Sequence, residues 1–525
     1  MSANSSSSHY LLKNASLISI VSGAGVASGL VLDALILGVF GVGSLTDALS
    51  AALTVPLLIG SVFNIQVPKV LIPVFTDHCV QHGEASAWDL LSNLITTSFF
   101  VLVGISLAGM TIAGAIMPLQ VPGLDSNAIS LAVWLSRILF GLVVFQGLES
   151  ILRSVLYAQH RYLISSFGKL VANILTIAVV ILWRDHFGMQ AIAGGMVLGG
   201  FLQVAVLALA LSARGFQYHW VLKPADPKLR ELFRAFRYPL AGHALAETAT
   251  ILQNVLGSFL GSGSLTVIRY ASRIVQAIAG LLLGSIVQVT LPLVSKHGAA
   301  NDLRALRKTL LESFRLLGFV GVPVSIWLIL AAEPMLVLLF VRGEFSRADA
   351  ALTSAIVGFM VPYILLSRII GIAQTPFYAT MDMRSPLISI VVFTVAHLVL
   401  ATLLVGLLGL FGLPIALSLA SLCGAAYMIS KLQRRFGPIG WSEMWSFAFR
   451  LSATSTAMGA GFALGTRLAR MTTASGSVAK LLDFSVPTAF AICSFIMGAF
   501  LFRLINVRFL LQWGWSRSLF SGRAS

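Results

Sequence analysis

The sequence predicts an all-α polytopic membrane protein, and three observations support this fold class. Fourteen apolar stretches each reach about the 20 residues that a helix needs to cross a bilayer. Hydrophobic residues make up 57% of the chain and charged residues only 10%, whereas soluble domains are roughly a quarter charged. The apolar runs are too long for barrel strands, so each span must pair its backbone groups inside a helix.

The expected spans follow one another with short connections, so no separate soluble domain is expected. A mean hydropathy of +0.92 suits the whole chain to lipid rather than to water. The expected spans are 15–40, 45–76, 89–117, 128–156, 162–183, 189–213, 238–260, 265–294, 309–332, 348–376, 386–406, 411–431, 443–467 and 481–503.

Basic residues are concentrated in one set of alternate loops, and the net charge is +16. Positive charge marks the cytoplasmic side of a membrane protein, so both termini are expected in the cytoplasm. The same net charge in a soluble protein would suggest nucleic acid. Here the most basic connection, 214–237, is better explained by contact with anionic headgroups, and no nucleic-acid partner is expected.

The three cysteines are scattered and do not form a metal or redox motif. Cys79, Cys423 and Cys493 therefore fit the role of small apolar residues, and no metal is expected. The chain starts with the polar run MSANSSSSH, which lacks a basic segment, and no signal peptide is expected.

Four pairs of short segments repeat in the same order at an offset of about 220 residues, which indicates an internal duplication. Chance similarity within an apolar sequence is the alternative. Because one repeat holds an even number of spans, both halves would enter the membrane from the same side. The pairs are GSLT at 43–46 and 263–266, IPVFTDH at 72–78 and LPLVSKH at 291–297, Tyr157-Ala158 and Tyr378-Ala379, and Phe187-Gly188 and Phe411-Gly412.

The duplication predicts an N-lobe of residues 1–213 and a C-lobe of residues 238–431, joined by the basic linker 214–237. Residues 432–525 would hold spans 13 and 14 and a cytoplasmic tail. Two like-oriented lobes can rock against each other around a central cavity, as in known transporters.

Two arginines in span 8 are the first candidates for a functional site, because ionisable residues inside a span usually face a cavity or a partner. Arg273 lies about two turns into the span, and Arg269 precedes it by four residues on the same helix face. Two guanidinium groups in a cavity would suit phosphate oxygens. Alternatively, either arginine reaches the membrane surface or pairs with a carboxylate such as Glu247.

Acidic residues of the first lobe are the next candidates. Asp33 lies late in span 1 and suits an ion pair or a proton site. Asp47 directly follows Thr46 at the start of span 2, so substrate binding and helix capping both fit it. Glu149 and Arg153 are four residues apart and are expected to pair with each other. Further candidates for cavity or coupling residues are Glu247, Asn254, Arg137 and Lys169.

Five segments carry a family resemblance: LDALILGVFGVGSLTDA at 32–48, SFLGSGSLTVIRYASRIVQ at 258–276, TLPLVSK at 290–296, RGEFS at 342–346 and FYATMDMRSP at 377–386. With these segments the chain resembles the MurJ/MviN family of lipid II flippases, part of the multidrug/oligosaccharidyl-lipid/polysaccharide exporter superfamily. The resemblance covers nearly the whole length and includes the number of spans.

The resemblance places Arg273 on the family's cavity arginine, and Asp33 and Asp47 on its two acidic positions. It implies a substrate with an undecaprenyl tail, a pyrophosphate and a saccharide head. Alternating access would move this substrate from the cytoplasmic to the periplasmic leaflet of a bacterial inner membrane, with helices 13 and 14 forming a groove for the tail. The implied partners are this glycolipid, membrane lipids and proteins of cell-wall or polysaccharide synthesis. No enzymatic activity and no cofactor are expected.

The first half departs from the family pattern where arginines are expected, and several alternatives stay open. Lipid II is one expected substrate, and an exopolysaccharide or O-antigen-type lipid-linked repeat unit is the other. An ion-coupled multidrug exporter and a non-transporting scaffold are further alternatives. A membrane enzyme would need a large outward loop with catalytic residues. The arginine positions fall on or near Val26, Leu32, Gly60 and Ser61, and Ser272 stands where the family has an aspartate.

Overall fold

The computed structural model is helical along nearly all of the chain that it describes, which is residues 3–159, 161–299, 302–380, 382–438, 440–471, 475–502 and 504. No strand occurs within these ranges, and the expected all-α fold class is confirmed. Most of the expected cytoplasmic tail, from residue 505, lies outside the described residues.

Fourteen α-helices and one short 3-10 turn, Gly409–Phe411, account for these residues. The helices are α1 Ala3–Phe40, α2 Ser44–Gln120, α3 Ser126–Leu139, α4 Gly141–Ala158, α5 Tyr162–Phe187, α6 Met189–Ser212, α7 Pro227–Ser258, α8 Ser264–Ala299, α9 Leu303–Phe340, α10 Arg347–Ala379, α11 Arg384–Leu408, α12 Gly412–Phe436, α13 Trp441–Arg470 and α14 Gly476–Leu501.

Helix α2 contains two of the expected spans. Its 77 residues would extend about 115 Å if straight, which is several times the thickness of the hydrocarbon layer. The backbone leaves the helical conformation at Gly83, where φ is 82°. A residue with a side chain rarely adopts this angle, so the glycine marks the point where the chain turns between spans 2 and 3.

Ten segments of the described chain are long and apolar enough to cross a membrane. Two of them, Ser44–Gln120 and Arg384–Phe436, each hold two expected spans. Expected spans 7 and 13 coincide with α7 and α13, which carry more polar residues. Spans 2 and 3 share α2, and span 4 comprises α3 and α4, so expected spans 5–14 correspond to helices α5–α14 in order.

Span 4 is interrupted at Phe140, between α3 and α4. A break inside the bilayer leaves backbone groups that lipid cannot satisfy. Here the Ser106 hydroxyl of α2 donates to the Phe140 carbonyl oxygen at 2.9 Å. Gly109 makes room for the Phe140 ring, because a methyl group at Gly109 would lie 2.1 Å from a ring carbon.

The chain folds into two compact units. Unit 1 runs to Arg269 and also includes Arg342–Ser346, and unit 2 consists of Tyr270–Val341 and the residues from Arg347 onward. In unit 1, α2 packs against α3, α4 and α7, while α5 packs against α1 and α6. In unit 2, α10 packs against α9 and α12, and α12 also packs against α11.

The basic linker follows α2 before it enters α7. Lys223 exchanges two hydrogen bonds with the Asn93 side chain, at 2.9 and 3.1 Å. The Tyr218 hydroxyl lies 2.9 Å from the Thr96 hydroxyl. Asp226 then caps α7 by accepting from the Lys228 N–H at 2.8 Å, with Pro227 at the first helical position.

The hairpin of α13 and α14 is attached to α9 in unit 2. The Trp327 indole N–H donates to the Thr488 hydroxyl at 3.2 Å, and Trp327 packs against a buried cluster that contains Met458 and Phe462. The Lys480 ammonium donates to the Val341 carbonyl oxygen at 2.8 Å. A cation at a helix C-terminus is favourable because that end carries negative partial charge.

We predict that Ser106→Ala destabilises the protein by roughly 0.5–1.5 kcal/mol, because the buried Phe140 carbonyl oxygen loses one of its two donors and keeps only the Val143 N–H at 3.1 Å. The free energy of unfolding in a denaturant titration measures this change. Thr111→Ala is the matched control, since that hydroxyl is exposed and bonds only to the Ala108 carbonyl of its own helix. Equal stability of the two variants would contradict the role given to Ser106.

Candidate functional site

The starts of α2 and α8 share the residues Ser-Leu-Thr, and both lie in unit 1 next to the Asp47 side chain. Asp47 has no exposed surface. One carboxylate oxygen accepts from the Gly263 N–H at 2.6 Å. The other accepts from the Thr266 N–H at 2.8 Å and from the Thr266 hydroxyl at 2.6 Å. The carboxylate of α2 therefore caps the first turn of α8, which we call the Asp47 cap.

Helix α2 caps its own start with a different residue. The Thr46 hydroxyl accepts from the Gly43 N–H at 3.0 Å. The carboxylate of Asp47 is thus available for α8, 219 residues further along the chain. Of the two roles that the sequence allowed for Asp47, helix capping is the one visible in this structure, although the helix is not its own.

The loop Arg342–Ser346 holds the end of α1 in the same unit. The Glu344 N–H donates to the Gly38 carbonyl oxygen at 3.0 Å. Gly343 has a φ of 57°, and a methyl group there would lie 2.0 Å from that same oxygen. Only glycine fits this close approach. Phe345 is 2% exposed and anchors the loop.

Two candidate residues contact α2 one turn apart. The Arg269 guanidinium donates to the Ser50 carbonyl oxygen at 3.2 Å, and the Asn254 amide donates to the Thr54 hydroxyl at 2.7 Å. These contacts belong to unit 1. Arg273 is partly buried and belongs to unit 2.

The remaining candidate residues differ in burial. Asp33 is 2% exposed within α1. Glu247 is partly buried and accepts from the Thr250 hydroxyl at 3.1 Å. Arg137 and Lys169 are exposed on the surface of unit 1.

Glu149 and Arg153 form the ion pair expected from their spacing, with Nε and Oε1 3.0 Å apart. The sequence did not indicate the amides around this pair. Arg153 Nη2 donates to the Asn64 side-chain oxygen at 2.8 Å, and Gln203 hydrogen-bonds to Glu149. Lys169 is close enough to Glu149 for an electrostatic interaction. The pair is thus part of a network that reaches four helices.

Two polar residues of the spans were also missed. Gln146 fills the space above Gly60, where a methyl group would lie 1.3 Å from the Gln146 amide oxygen. Lys69 is exposed on α2. The sequence alone could have identified it as a candidate, because it is an ionisable residue inside expected span 2. No comparable signal points to Gln146, because its importance depends on a neighbouring glycine.

Unit 2 contains an apolar cavity of about 230 Å³ between α13 and the helices α9, α10 and α12. Helix α13 packs on α9 and α14, which leaves a space on the side of α10 and α12. The lining residues are Phe314, Leu317, Gly318, Val322, Leu365, Ile369, Ile429, Gly440, Met444, Phe447, Ala448 and Leu451. Such a surface suits a hydrocarbon chain.

Asp382 organises the turn between α10 and α11. Its carboxylate accepts from the Ser385 N–H at 3.1 Å and from the Ser385 hydroxyl at 2.9 Å, and it pairs with Arg435. Burial acts to raise the pKa of Asp382, but the hydrogen bonds from Ser385 and the charge of Arg435 outweigh it, so the pKa lies below its ordinary value.

A helical protein with charges buried in its apolar spans, and with an apolar cavity among its helices, has the architecture of a membrane transporter. Solved structures share this fold. "Lipid II flippase MurJ, inward closed conformation" matches with a TM-score of 0.75 at 19% identity, over 93% of this chain and 100% of that chain. An inward-facing multidrug resistance MATE family transporter matches with a TM-score of 0.67 at 15% identity, over 80% of this chain and 98% of that chain.

Sequence comparison gives the family. The model of the family described as "Lipid II flippase MurJ" matches residues 36–484, and the chain belongs to this family. A probable lipid II flippase MurJ of Bdellovibrio bacteriovorus is 26% identical over 402 residues, which cover 74% of this chain and 76% of the relative. The lipid II flippase MurJ of Burkholderia cenocepacia is 25% identical over 424 residues, which cover 78% of this chain and 81% of the relative.

We predict that Asp47→Ala lowers the free energy of unfolding by roughly 1–3 kcal/mol, because three buried donors at and just before the start of α8 lose their acceptor. Asp47→Asn should cost less, since its amide oxygen can still accept. Thermal unfolding of the purified variants measures both changes. Asp125→Ala is the control, because Asp125 caps only its own helix α3 at the Ala128 N–H. A larger loss in Asp125→Ala would contradict the central position of the Asp47 cap.

We predict a pH-dependent contribution of Asp382 to stability. A lowered pKa in the folded state means that the stabilisation is present above the unfolded pKa of about 4 and is lost as the pH falls through the folded pKa. Asp382→Asn should therefore lower the unfolding temperature at pH 7, and the difference from wild type should shrink on acidification. Asp185→Asn, at an exposed carboxylate, reports the general effect of losing one surface charge. A difference that grows on acidification would contradict the assignment.

Proposed function

We propose that this protein is a flippase for an undecaprenyl-pyrophosphate-linked saccharide, and that its substrate is the peptidoglycan precursor lipid II. The observation that carries the proposal is family membership over residues 36–484, together with relatives that are named lipid II flippases. The substrate moves from the cytoplasmic to the periplasmic leaflet of the bacterial inner membrane.

The physical problem that such a protein solves is the passage of a polar head through hydrocarbon. Burying a diphosphate and a saccharide in a layer about 30 Å thick is prohibitively costly without polar partners. A protein cavity lined with polar groups removes most of this cost while the tail remains in lipid. This requirement fits a chain whose buried polar side chains lie inside apolar spans.

The proposed mechanism is alternating access between an N-lobe, 1–213, and a C-lobe, 238–431. In the proposed topology, with both termini in the cytoplasm, the Asp47 cap and the loop Arg342–Ser346 lie at the outward end. An outward-open state requires these contacts to separate, and an inward-open state keeps them. The cost of breaking the cap, about 1–3 kcal/mol per buried hydrogen-bonding group left without a partner, sets part of the balance between the two states.

We assign the phosphate groups of the substrate to Arg273, with Arg269 as a neighbour on the same helix face. Guanidinium groups bind phosphate oxygens in a planar, charge-assisted geometry. The apolar cavity beside α13 would hold part of the polyprenyl tail, because its lining residues are apolar. Asp33 remains a proposed substrate-binding residue. Glu247, Asn254, Arg137 and Lys169 remain proposed cavity or coupling residues.

The chain is a multi-pass membrane protein of a transporter family, and we assign it no catalytic reaction. Its partners in this proposal are the glycolipid substrate, the surrounding lipids and the proteins that synthesise the cell wall.

A second candidate substrate is the lipid-linked repeat unit of an exopolysaccharide or O-antigen. One observation favours it. Gly60 and Ser61 stand near the positions where the family resemblance places arginines, and Gln146 occupies the space above Gly60. A cavity with fewer cations on α2 suits a head group with fewer negative charges.

We predict that Arg273→Gln lowers the rate of lipid II flipping in proteoliposomes about tenfold or more. A charge-assisted hydrogen bond contributes about 1.5–3 kcal/mol, and 1.4 kcal/mol corresponds to a factor of ten. Arg273→Lys should retain part of the rate, and Arg214→Gln, at an exposed linker position, should retain all of it.

Growth of a strain depleted of its own lipid II flippase tests the substrate. Rescue by the wild-type chain supports lipid II. Failure at normal expression, combined with transport of an O-antigen-type lipid in proteoliposomes, would favour the second substrate. Full transport by the charge-reversed Arg273→Glu variant would contradict the role of this residue. Rescue of growth by Arg273→Glu without measurable lipid II transport would favour a non-transporting scaffold.

A further inference from the structure

A polar network inside the spans of unit 1 contains Lys169, a proposed cavity or coupling residue, and four residues to which the proposed mechanism gives no role. It consists of Asn64 on α2, Glu149 and Arg153 on α4, Lys169 on α5 and Gln203 on α6. Charged groups inside a membrane are costly, and those that are present usually serve transport.

The network is arranged around one buried carboxylate. Glu149 is 7% exposed, whereas the Arg153 side chain is 20% exposed and Lys169 is exposed. The carboxylate therefore lies inside, and the two cations lie toward the surface of the unit. An anion that approaches unit 1 at this point meets positive charge first.

The Arg153 guanidinium also reaches the surface of α2. Its Nη2 donates to the Asn64 side-chain oxygen at 2.8 Å and to the Asn64 carbonyl oxygen at 3.3 Å. Asn64 is one helical turn from Gly60, the position at which the family resemblance places an arginine. Helix α4 thus supplies, from a different position, a guanidinium close to the place where α2 lacks one.

The protonation of Glu149 depends on whether its cationic partners remain in contact with it. Among the described residues, the charged groups that reach Glu149 are Arg153 of its own helix and Lys169 of α5, while α6 presents the amide of Gln203. The neighbouring residue of α2 is the amide of Asn64, and the Tyr157 ring lies 5.9 Å from the Arg153 guanidinium carbon. A buried carboxylate that loses its cationic partner favours the protonated form.

We propose that Arg153 and Lys169 form a second phosphate-binding subsite, in addition to Arg273, for the diphosphate of the lipid-linked substrate, and that Glu149 is its displaceable counter-ion. When a phosphate oxygen binds Arg153, the contact between Arg153 and Glu149 breaks. A proton from water then binds a Glu149 carboxylate oxygen, and no covalent bond of the substrate changes. Release of the substrate restores the ion pair and returns the proton to water. The subsite rests on the proposed function, and it links substrate binding to proton uptake.

Calorimetry of the purified full-length protein tests the link, with farnesyl diphosphate as the probe and farnesol as the control without phosphate. Titrations in two buffers with different ionisation enthalpies give the number of protons taken up per bound probe. Wild type should bind farnesyl diphosphate with net proton uptake. Glu149→Gln should bind at least as tightly with less uptake, because the competing carboxylate is gone, and Arg153→Gln should bind about tenfold more weakly.

The pair of Arg315 and Glu443 in unit 2 offers a matched control, since its nitrogen and oxygen are 2.8 Å apart and both side chains are more exposed. Glu443→Gln should leave binding and proton uptake unchanged. Unchanged proton uptake in Glu149→Gln, or unchanged affinity in Arg153→Gln, would overturn the proposal.

Infrared difference spectroscopy decides the matter if Glu149→Gln does not fold. Addition of farnesyl diphosphate to wild type should produce the band of a protonated carboxylic acid, and its absence would overturn the subsite. A measurement of lipid II flipping by wild type distinguishes failure of the subsite from failure of the proposed flippase function. Flipping without a Glu149-dependent proton refutes the subsite alone, whereas absence of both flipping and diphosphate binding refutes the proposed function itself.

Discussion

The absence of water inside the bilayer is the constraint on which the rest of this structure depends. A polar group in a span must find its partner within the protein, because hydrocarbon offers none. The Asp47 cap meets this requirement with one carboxylate and three donors at and just before the start of α8. At the break near Phe140, the Ser106 hydroxyl and the Val143 N–H meet it together by donating to the Phe140 carbonyl oxygen. In both places side-chain hydrogen bonds satisfy main-chain groups at a helix end.

Much of the fold could be predicted from the sequence because span length and local spacing are local properties. The pairing of Glu149 with Arg153 follows from a separation of four residues, and the structure contains it. The partner of Asp47 could not be predicted, since Thr266 lies 219 residues away and local capping was an equally good explanation. The close fit of Gln146 above Gly60 also could not be predicted from the sequence, because it depends on the packing of α4 against α2.

The repeated Ser-Leu-Thr segments illustrate how a duplicated sequence acquires unequal roles. In the first copy, Thr46 caps its own helix and the next residue is Asp47. In the second copy, Thr266 donates to that aspartate, and the next residue is Val267. Thr46 therefore serves the first helix start, and Asp47 serves the second.

The loop Arg342–Ser346 holds α1 through the main chain. The Glu344 N–H and the Gly38 carbonyl oxygen carry no ionisable proton, and the approach is made possible by Gly343. Ion pairs weaken in salt and carboxylates titrate, but an amide hydrogen bond does neither. In the proposed topology this contact faces the periplasm, whose acidity and salinity follow those of the external medium. The hydrogen bond between Glu344 and Gly38 would therefore keep its strength when the external medium becomes more saline or more acidic.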